Sequence, residues 1–139
     1  MSKRKTKYTI GDFKLRVGRS RTGRGIFAQE AIPKGACIIE YIGKPVSKEQ
    51  EEKMSGKYLF VVGRNKTIDG NIPANTARFI NHSCAPNCEA QGPSGQAFIM
   101  SRRRIKGGEE LTYDYGKEYF NEHIKPKGCR CQKCEPASI

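Results

Sequence analysis

Arg78-Phe79-Ile80-Asn81-His82-Ser83-Cys84-Ala85-Pro86-Asn87-Cys88 is the run from which the rest of the chain is read. Phe79 and Ile80 are side chains that favour burial. The others are an Asn-His pair, a hydroxyl, two thiols and a Pro-Asn turn, all of them ligand, cap or hydrogen-bonding groups. A run built this way has little reason to exist as core. Two further stretches answer it: G-E-E-L-T-Y-D-Y-G at 108–116, and the cluster Cys129, Cys131 and Cys134. The reading is that these three stretches meet in space and form one site.

Working outward, 139 residues suit one domain, with Gly 15 and Pro 7 pointing to many turns and short strands. A half-exposed strand is expected over 13–17, where apolar and cationic side chains alternate. In R-S-R-T-G-R-G-I-F-A at 19–28 the two glycines flanking Arg24 predict a tight turn whose backbone can approach a ligand closely. A buried strand is expected over 36–42, ending at Gly43-Lys44-Pro45. Ser47 with Gln50 forms a capping box that opens a helix over 47–56. Short strands follow at 58–62 and 66–68, the second closed by a hairpin-type turn at Asp69-Gly70. One helical turn fits 71–79, a strand 97–101, and a short helix 117–125, halted by Pro126. Many brief strands without a β-α-β rhythm predict a mostly β fold of several small sheets with short helices.

The net charge is +12. Up to residue 24 the cations Lys3, Arg4, Lys5, Lys7, Lys14, Arg16, Arg19, Arg21 and Arg24 face the single acid Asp12. Such a surface either keeps the protein solvated or contacts nucleic acid through counterion release. The start of the chain has basic residues and no following apolar segment of a secretory signal. No apolar run approaches the roughly 20 residues that cross a bilayer. The expectation is an intracellular chain with no membrane contact, cytoplasmic if bacterial and nuclear or chromatin-associated if eukaryotic. Cysteines in that setting serve as metal ligands or thiols more often than as disulfides.

C-x-C-x-x-C at Cys129, Cys131 and Cys134 supplies three thiols, while a structural zinc takes four ligands in a tetrahedron. The fourth comes from Cys84, Cys88, His82, His123 or Cys37. Cys84 is favoured because it lies in the motif-dense run, with Cys88 left as a thiol. A zinc so enclosed has no open coordination position and does no chemistry.

Taken together these pieces resemble a SET-domain protein lysine methyltransferase. The likeness rests on G-R-G-I-F-A at 23–28, E-Y-I-G at 40–43, Y-L-F at 58–60, the 78–88 and 108–116 runs, and the cysteine tail, which resembles a post-SET motif. Two departures stand out. Only Gln132 and Lys133 separate the last two thiols, where four residues are usual, and no cysteine-rich segment precedes the domain. A compact stand-alone enzyme of bacterial type, or a minimal catalytic module, would look like this.

The resemblance implies a basic arm over 1–12, a SET domain over 13–116 and a post-SET helix and zinc tail over 117–139. It implies a knot-like crossing of the segments that carry Asn81 and Tyr115. It implies S-adenosylmethionine as methyl donor, held by Thr22, Arg24, Tyr58, Asn81, His82 and Arg130, with His82 acting through its backbone. It places zinc on Cys84, Cys129, Cys131 and Cys134. The lysine channel falls on Tyr41, Tyr113 and Tyr115, with Tyr115 the catalytic tyrosine, and Tyr113 would hold the product at mono- or dimethyl-lysine. The partner is a protein that presents a lysine, a histone tail or another protein. Monomer and homodimer stay equally open. Glu109 and Glu110 are read as turn and surface residues. Two other readings remain: a zinc-stabilised basic nucleic-acid-binding module, and a SET domain that only mediates interaction.

Overall fold

The computed structural model describes residues 8–20, 23–53, 58–63, 66–93 and 95–115. Among them lie ten strands, one α-helix and one 3-10 turn. The strands form four small sheets, as the mostly β reading expected. β1 (Leu15–Ser20) and β2 (Gly23–Ala28) make an antiparallel hairpin. β3 (Cys37–Tyr41), β9 (Ala97–Ser101) and β8 (Cys88–Gln91) form a sheet with β9 in the middle. β4 (Lys44–Val46), β6 (Lys66–Asp69) and β5 (Leu59–Gly63) form another, centred on β6. β7 (Asn81–His82) and β10 (Thr112–Tyr113) pair in parallel.

The central strand β9 is buried along its whole length, so both faces of its sheet are covered. Ile99 faces the main core, where Ile26, Ile32, Ile80, Ile105 and Leu111 are also fully buried. Phe98 and Met100 face the opposite side with Cys37, and there Tyr8 stacks on Phe98 at 5.3 Å between ring centroids. Gly11 N–H donates to the Cys37 carbonyl at 2.9 Å. The chain from Tyr8 to Gly11, within the stretch 1–12 read as a basic arm, is therefore tied to the back of this sheet. Its one aromatic residue supplies the apolar contact.

The capping box forms as expected at helix α1 (Lys48–Lys53). Gln50 N–H donates to Ser47 Oγ at 3.1 Å, and Ser47 N–H donates to Gln50 Oε1 at 3.0 Å, satisfying two of the orphan donors of the first turn. The 3-10 turn Thr76–Phe79 supplies the helical turn read in 71–79. The buried strand expected over 36–42 is β3, and it ends before Gly43 as read; a new strand, β4, begins at Lys44, and Gly43 allows backbone-to-backbone approach to Asp69 that any Cβ would block. Two local readings need correction. The G-R-G segment is the start of strand β2 and not a turn; Gly23, at φ +121°, begins that strand. Asp69-Gly70 is an Asx turn, with Asn71 N–H on Asp69 Oδ1 at 3.0 Å, and it leads into the 3-10 turn instead of a hairpin. The helix expected over 117–125 lies outside the described residues.

Candidate functional site

The site is built where β7 and β10 run side by side. Thr112 pairs with Asn81 and Tyr113 with His82. Ser83 N–H donates to the Tyr113 carbonyl at 3.2 Å, and Tyr115 Oη donates a short hydrogen bond to the Ile80 carbonyl. Asn87 locks the pair from behind. Its side chain is almost wholly buried; Nδ2 donates to the Glu110 carbonyl at 2.8 Å and Oδ1 accepts from Thr112 N–H at 2.9 Å. The 78–88 and 108–116 runs therefore meet as read from sequence. The third stretch, Cys129, Cys131 and Cys134, lies outside the described residues, as do Thr22 and Arg130.

An aromatic row crosses from the β4-β6-β5 sheet to this pair. Tyr41 meets Phe60 at 4.9 Å between centroids, Phe60 meets Tyr113 at 6.1 Å, Tyr113 meets Tyr115 at 4.9 Å, and Tyr115 meets the His82 ring edge-on at 5.4 Å. The three tyrosines read from sequence are thus brought together, with Phe60 interposed. Tyr41 and Tyr113 are buried, and Tyr115 is half-buried. Tilted contacts of this kind suit the quadrupoles of the rings and leave π faces for an alkyl chain or a cationic group.

Tyr58 stands at the far end of the row in an unusual backbone state. Its φ is +79°, in a region that side chains other than glycine occupy at a cost of about 1–3 kcal/mol. Its carbonyl is held twice, by Tyr41 Oη–H at 2.9 Å and by Gly70 N–H at 2.9 Å. Gly70 is required here, because a Cβ would overlap the Tyr41 ring. Asn75, fully buried, secures the same corner by donating to the Gly70 carbonyl at 2.9 Å and accepting from Ile42 N–H at 3.1 Å.

Asn81 ties the other end to the β1–β2 hairpin. Its Nδ2 lies 2.9 Å from Ser20 Oγ, 2.9 Å from the Arg24 carbonyl and 2.8 Å from Glu110 Oε2. Glu110 is therefore a half-buried contact of the site, where the sequence reading makes it a turn or surface residue without a partner in the site. It reaches in because β2 bridges to it at Phe27, which puts its side chain over Gly25, where a Cβ would collide with the carboxylate. The signal for this was the period-2 geometry of an extended G-E-E-L: adjacent acids must point to opposite sides. Glu109 does behave as a turn residue, accepting from Lys106 N–H and pairing with Arg103 at 3.0 Å; those bonds hold its carboxyl below the usual range. Asn87, Asn75 and Phe60 were also missed as parts of the site, since nothing in their local sequence marks what they touch.

His82 has its tautomer set by its neighbours. Tyr115 N–H donates to Nδ1 at 3.1 Å, so the ring proton belongs on Nε2, which lies 3.3 Å from Cys84 Sγ. Burial pushes the imidazole below its ordinary pKa, with Asp114, 3.8 Å away, opposing this. Among the described residues there is no group of three or more metal-ligating side chains, and Cys84 is the one member of the expected set that they include. Cys88 is fully buried, its thiol pushed up to about 12 chiefly by burial.

The family model for the SET domain matches residues 23–116, and the chain belongs to that family. Its relatives include histone-lysine N-methyltransferase 2D of Homo sapiens, 37% identical over 132 residues, which cover 85% of this chain and 2% of that protein. Histone-lysine N-methyltransferase trithorax of Drosophila virilis is 35% identical over 147 residues, 96% of this chain and 4% of the relative. Histone-lysine N-methyltransferase set1 of Dictyostelium discoideum is 39% identical over 124 residues, 79% of this chain and 8% of the relative. The chain thus spans only a few per cent of the length of these relatives.

Proposed function

We propose that this chain is an S-adenosylmethionine-dependent protein-lysine N-methyltransferase acting on a histone or another protein. The observation that carries this is the row Tyr41–Phe60–Tyr113–Tyr115 running into the Asn81-His82 strand within a SET domain. The donor would supply an electrophilic methyl group on a sulfonium. Asn81, the Arg24 backbone, Tyr58 and the His82 backbone, with Thr22 and Arg130, would hold it.

The tyrosines would line the lysine channel. A free lysine has a pKa of about 10.4, and the attacking amine must be neutral. A narrow aromatic channel disfavours the ammonium form, so the proton leaves to water without a dedicated base. Holding amine and methyl carbon at near-attack distance can supply several kcal/mol of the barrier. Tyr115, its hydroxyl fixed on the Ile80 carbonyl, is the catalytic tyrosine of this reading. Cys84, whose sulfur lies 3.3 Å from His82 Nε2, would hold a structural zinc together with Cys129, Cys131 and Cys134.

The test is transfer of a labelled methyl group from S-adenosylmethionine to histones or to lysate proteins, with Tyr115→Phe alongside. Label on a protein band that falls at least tenfold in the variant is the expected result. No label together with no donor binding would overturn the reading. A tyrosine at 113 would also limit the product to mono- or dimethyl-lysine by occupying space with its hydroxyl and a water. Tyr113→Phe is expected to raise the trimethyl fraction in mass spectra, and equal trimethyl yields would remove that point.

A further inference from the structure

Asn75 stands at the cap position of the 3-10 turn Thr76–Phe79, yet its side chain makes no capping bond. Asparagine favours such a position because its carboxamide accepts from the turn's own N–H groups. Here the side chain is fully buried, and among the described residues its hydrogen bonds both run to the surroundings of Tyr41. Oδ1 accepts from Ile42 N–H at 3.1 Å, which fixes the backbone just after Tyr41 at the end of β3. Nδ2 donates to the Gly70 carbonyl at 2.9 Å. Gly70 N–H in turn donates to the Tyr58 carbonyl, and so does Tyr41 Oη–H, each at 2.9 Å. One carboxamide therefore holds Tyr41 at both ends: its backbone directly, and its hydroxyl through Gly70 and Tyr58. Asn75 is itself anchored, its N–H on the Ile72 carbonyl at 3.0 Å and its carbonyl accepting from Arg78 Nη1 at 2.9 Å.

The Tyr58 carbonyl points where a tyrosine does not turn it unaided. At φ +79° the residue lies in the left-handed region, and strain of that kind persists only where the surroundings over-determine it. The Gly70 N–H is one restraint. The Tyr41 ring, which fills the place a Cβ on Gly70 would take, is the other. A carbonyl only accepts, so the bond to Tyr58 uses the one hydrogen of the Tyr41 hydroxyl. Beyond that bond the Tyr41 oxygen has acceptor lone pairs to offer and no hydrogen.

We propose that Asn75 is a positioning residue of the lysine channel: through Gly70 and the Tyr58 carbonyl it keeps the Tyr41 hydroxyl from donating into the channel. This rests on the function proposed above. An amine attacks with its lone pair. A phenol O–H free to turn would donate to that lone pair and occupy it before the attack. With its hydrogen committed to Tyr58, Tyr41 can only accept an N–H from the amine, which leaves the lone pair open.

The experiment compares the parent, Asn75→Ser and Gly70→Ala, each with Tyr41 in place and with Tyr41→Phe. Serine is too short to reach Ile42 and Gly70 together, and alanine at 70 puts a Cβ into the Tyr41 ring. The first readout needs no reaction. Tyrosine labelled at Cζ is observed by NMR in an equal mixture of light and heavy water, with Tyr41→Phe assigning the signal. A hydroxyl held in a hydrogen bond away from solvent gives two resolved lines, and a freely exchanging one gives a single line. Two lines are expected for Tyr41 in the parent and one in each variant. The second readout is steady-state methylation of histones, or of the lysate protein that takes the label. Asn75→Ser is expected to lower kcat about tenfold and to leave KM within about twofold, and once Tyr41→Phe is present the same substitution should cost less than about threefold. Gly70→Ala should follow the same pattern, which keeps the test open if Asn75→Ser does not fold. The proposal is overturned by a single line for Tyr41 in the parent, or by two lines kept in both variants. It is equally overturned if kcat falls as far without the Tyr41 hydroxyl as with it, since Asn75 would then serve stability alone. A parent that shows both lines but transfers no methyl group to any acceptor overturns the function proposed above, and the role of Asn75 with it. A parent that transfers methyl groups but fails these comparisons overturns the role of Asn75 alone.

Discussion

The Asn81 carboxamide offers two N–H hydrogens to three acceptors, Ser20 Oγ, the Arg24 carbonyl and Glu110 Oε2. The charged acceptor is the strongest of the three, since hydrogen bonds to ionised groups contribute about 1.5–3 kcal/mol. Glu110 therefore decides which way the carboxamide faces, and it does so over a glycine that leaves room for it. If Asn81 helps to hold the methyl donor, Glu110 acts through it as a positioning residue. Glu110→Ala is expected to weaken donor binding by about tenfold, the equivalent of 1.4 kcal/mol, with Glu110→Gln restoring most of it. Calorimetric titration of S-adenosylmethionine into each variant, beside its melting curve, reads this directly. Unchanged donor affinity with a lowered melting temperature would mean that Glu110 only fastens the hairpin.

At the scale of elements, what was legible was what is coded over three or four neighbours. Ser47 and Gln50 are three residues apart, and both hydrogen bonds of their capping box are formed. Ser47→Ala is expected to cost the first turn of α1 about 1 kcal/mol, which speeds exchange of the Gln50 amide about fivefold. Ser47→Asp, still a cap, should keep the parent's rate. Equal exchange rates in all three proteins would show that the box does not hold the turn. The elements that make the site are coded differently. β7 and β10 have two residues each and pair in parallel across a long stretch of chain, so neither has a periodicity to read. β8, Cys88–Gln91, lacks branched and aromatic side chains and is a strand because β9 pairs with it. The motif residues Asn81, His82, Tyr113 and Tyr115 could be singled out by their chemistry. That Asn81 would reach Glu110, or that Phe60 would sit between Tyr41 and Tyr113, depends on packing between distant segments.

For the molecule as a whole, the sheet in which β9 separates two buried clusters makes a pH response that charge counting alone would miss. Cys37 on β3 and Cys88 on β8 flank β9, and both thiols are pushed above the ordinary value of 9.0. Burial is the main cause for each, with Glu40 adding to it at Cys37; Cys88 reaches about 12. A folded chain then keeps the Cys88 proton until about pH 12, while an unfolded one releases it near 9.0. The unfolded state binds fewer protons across that window, so this contribution to stability is complete below pH 9 and is lost as pH rises toward 12. The loss approaches about 1.4 kcal/mol per pH unit well inside the window. Rising pH also lowers the net charge of +12 and relieves self-repulsion, which acts in the opposite direction. Comparison with Cys88→Ala separates the two effects, because lysines, tyrosines and the other thiols titrate alike in both proteins. At pH 8 the variant is expected to be less stable by about 1 kcal/mol, the order of cost for a small deletion in a packed core. In urea unfolding at pH 10.5 that difference should vanish or reverse. A constant difference at both pH values would mean that the Cys88 thiol titrates in the folded protein as it does in the open chain, and that the β8–β9 layer is not closed to water.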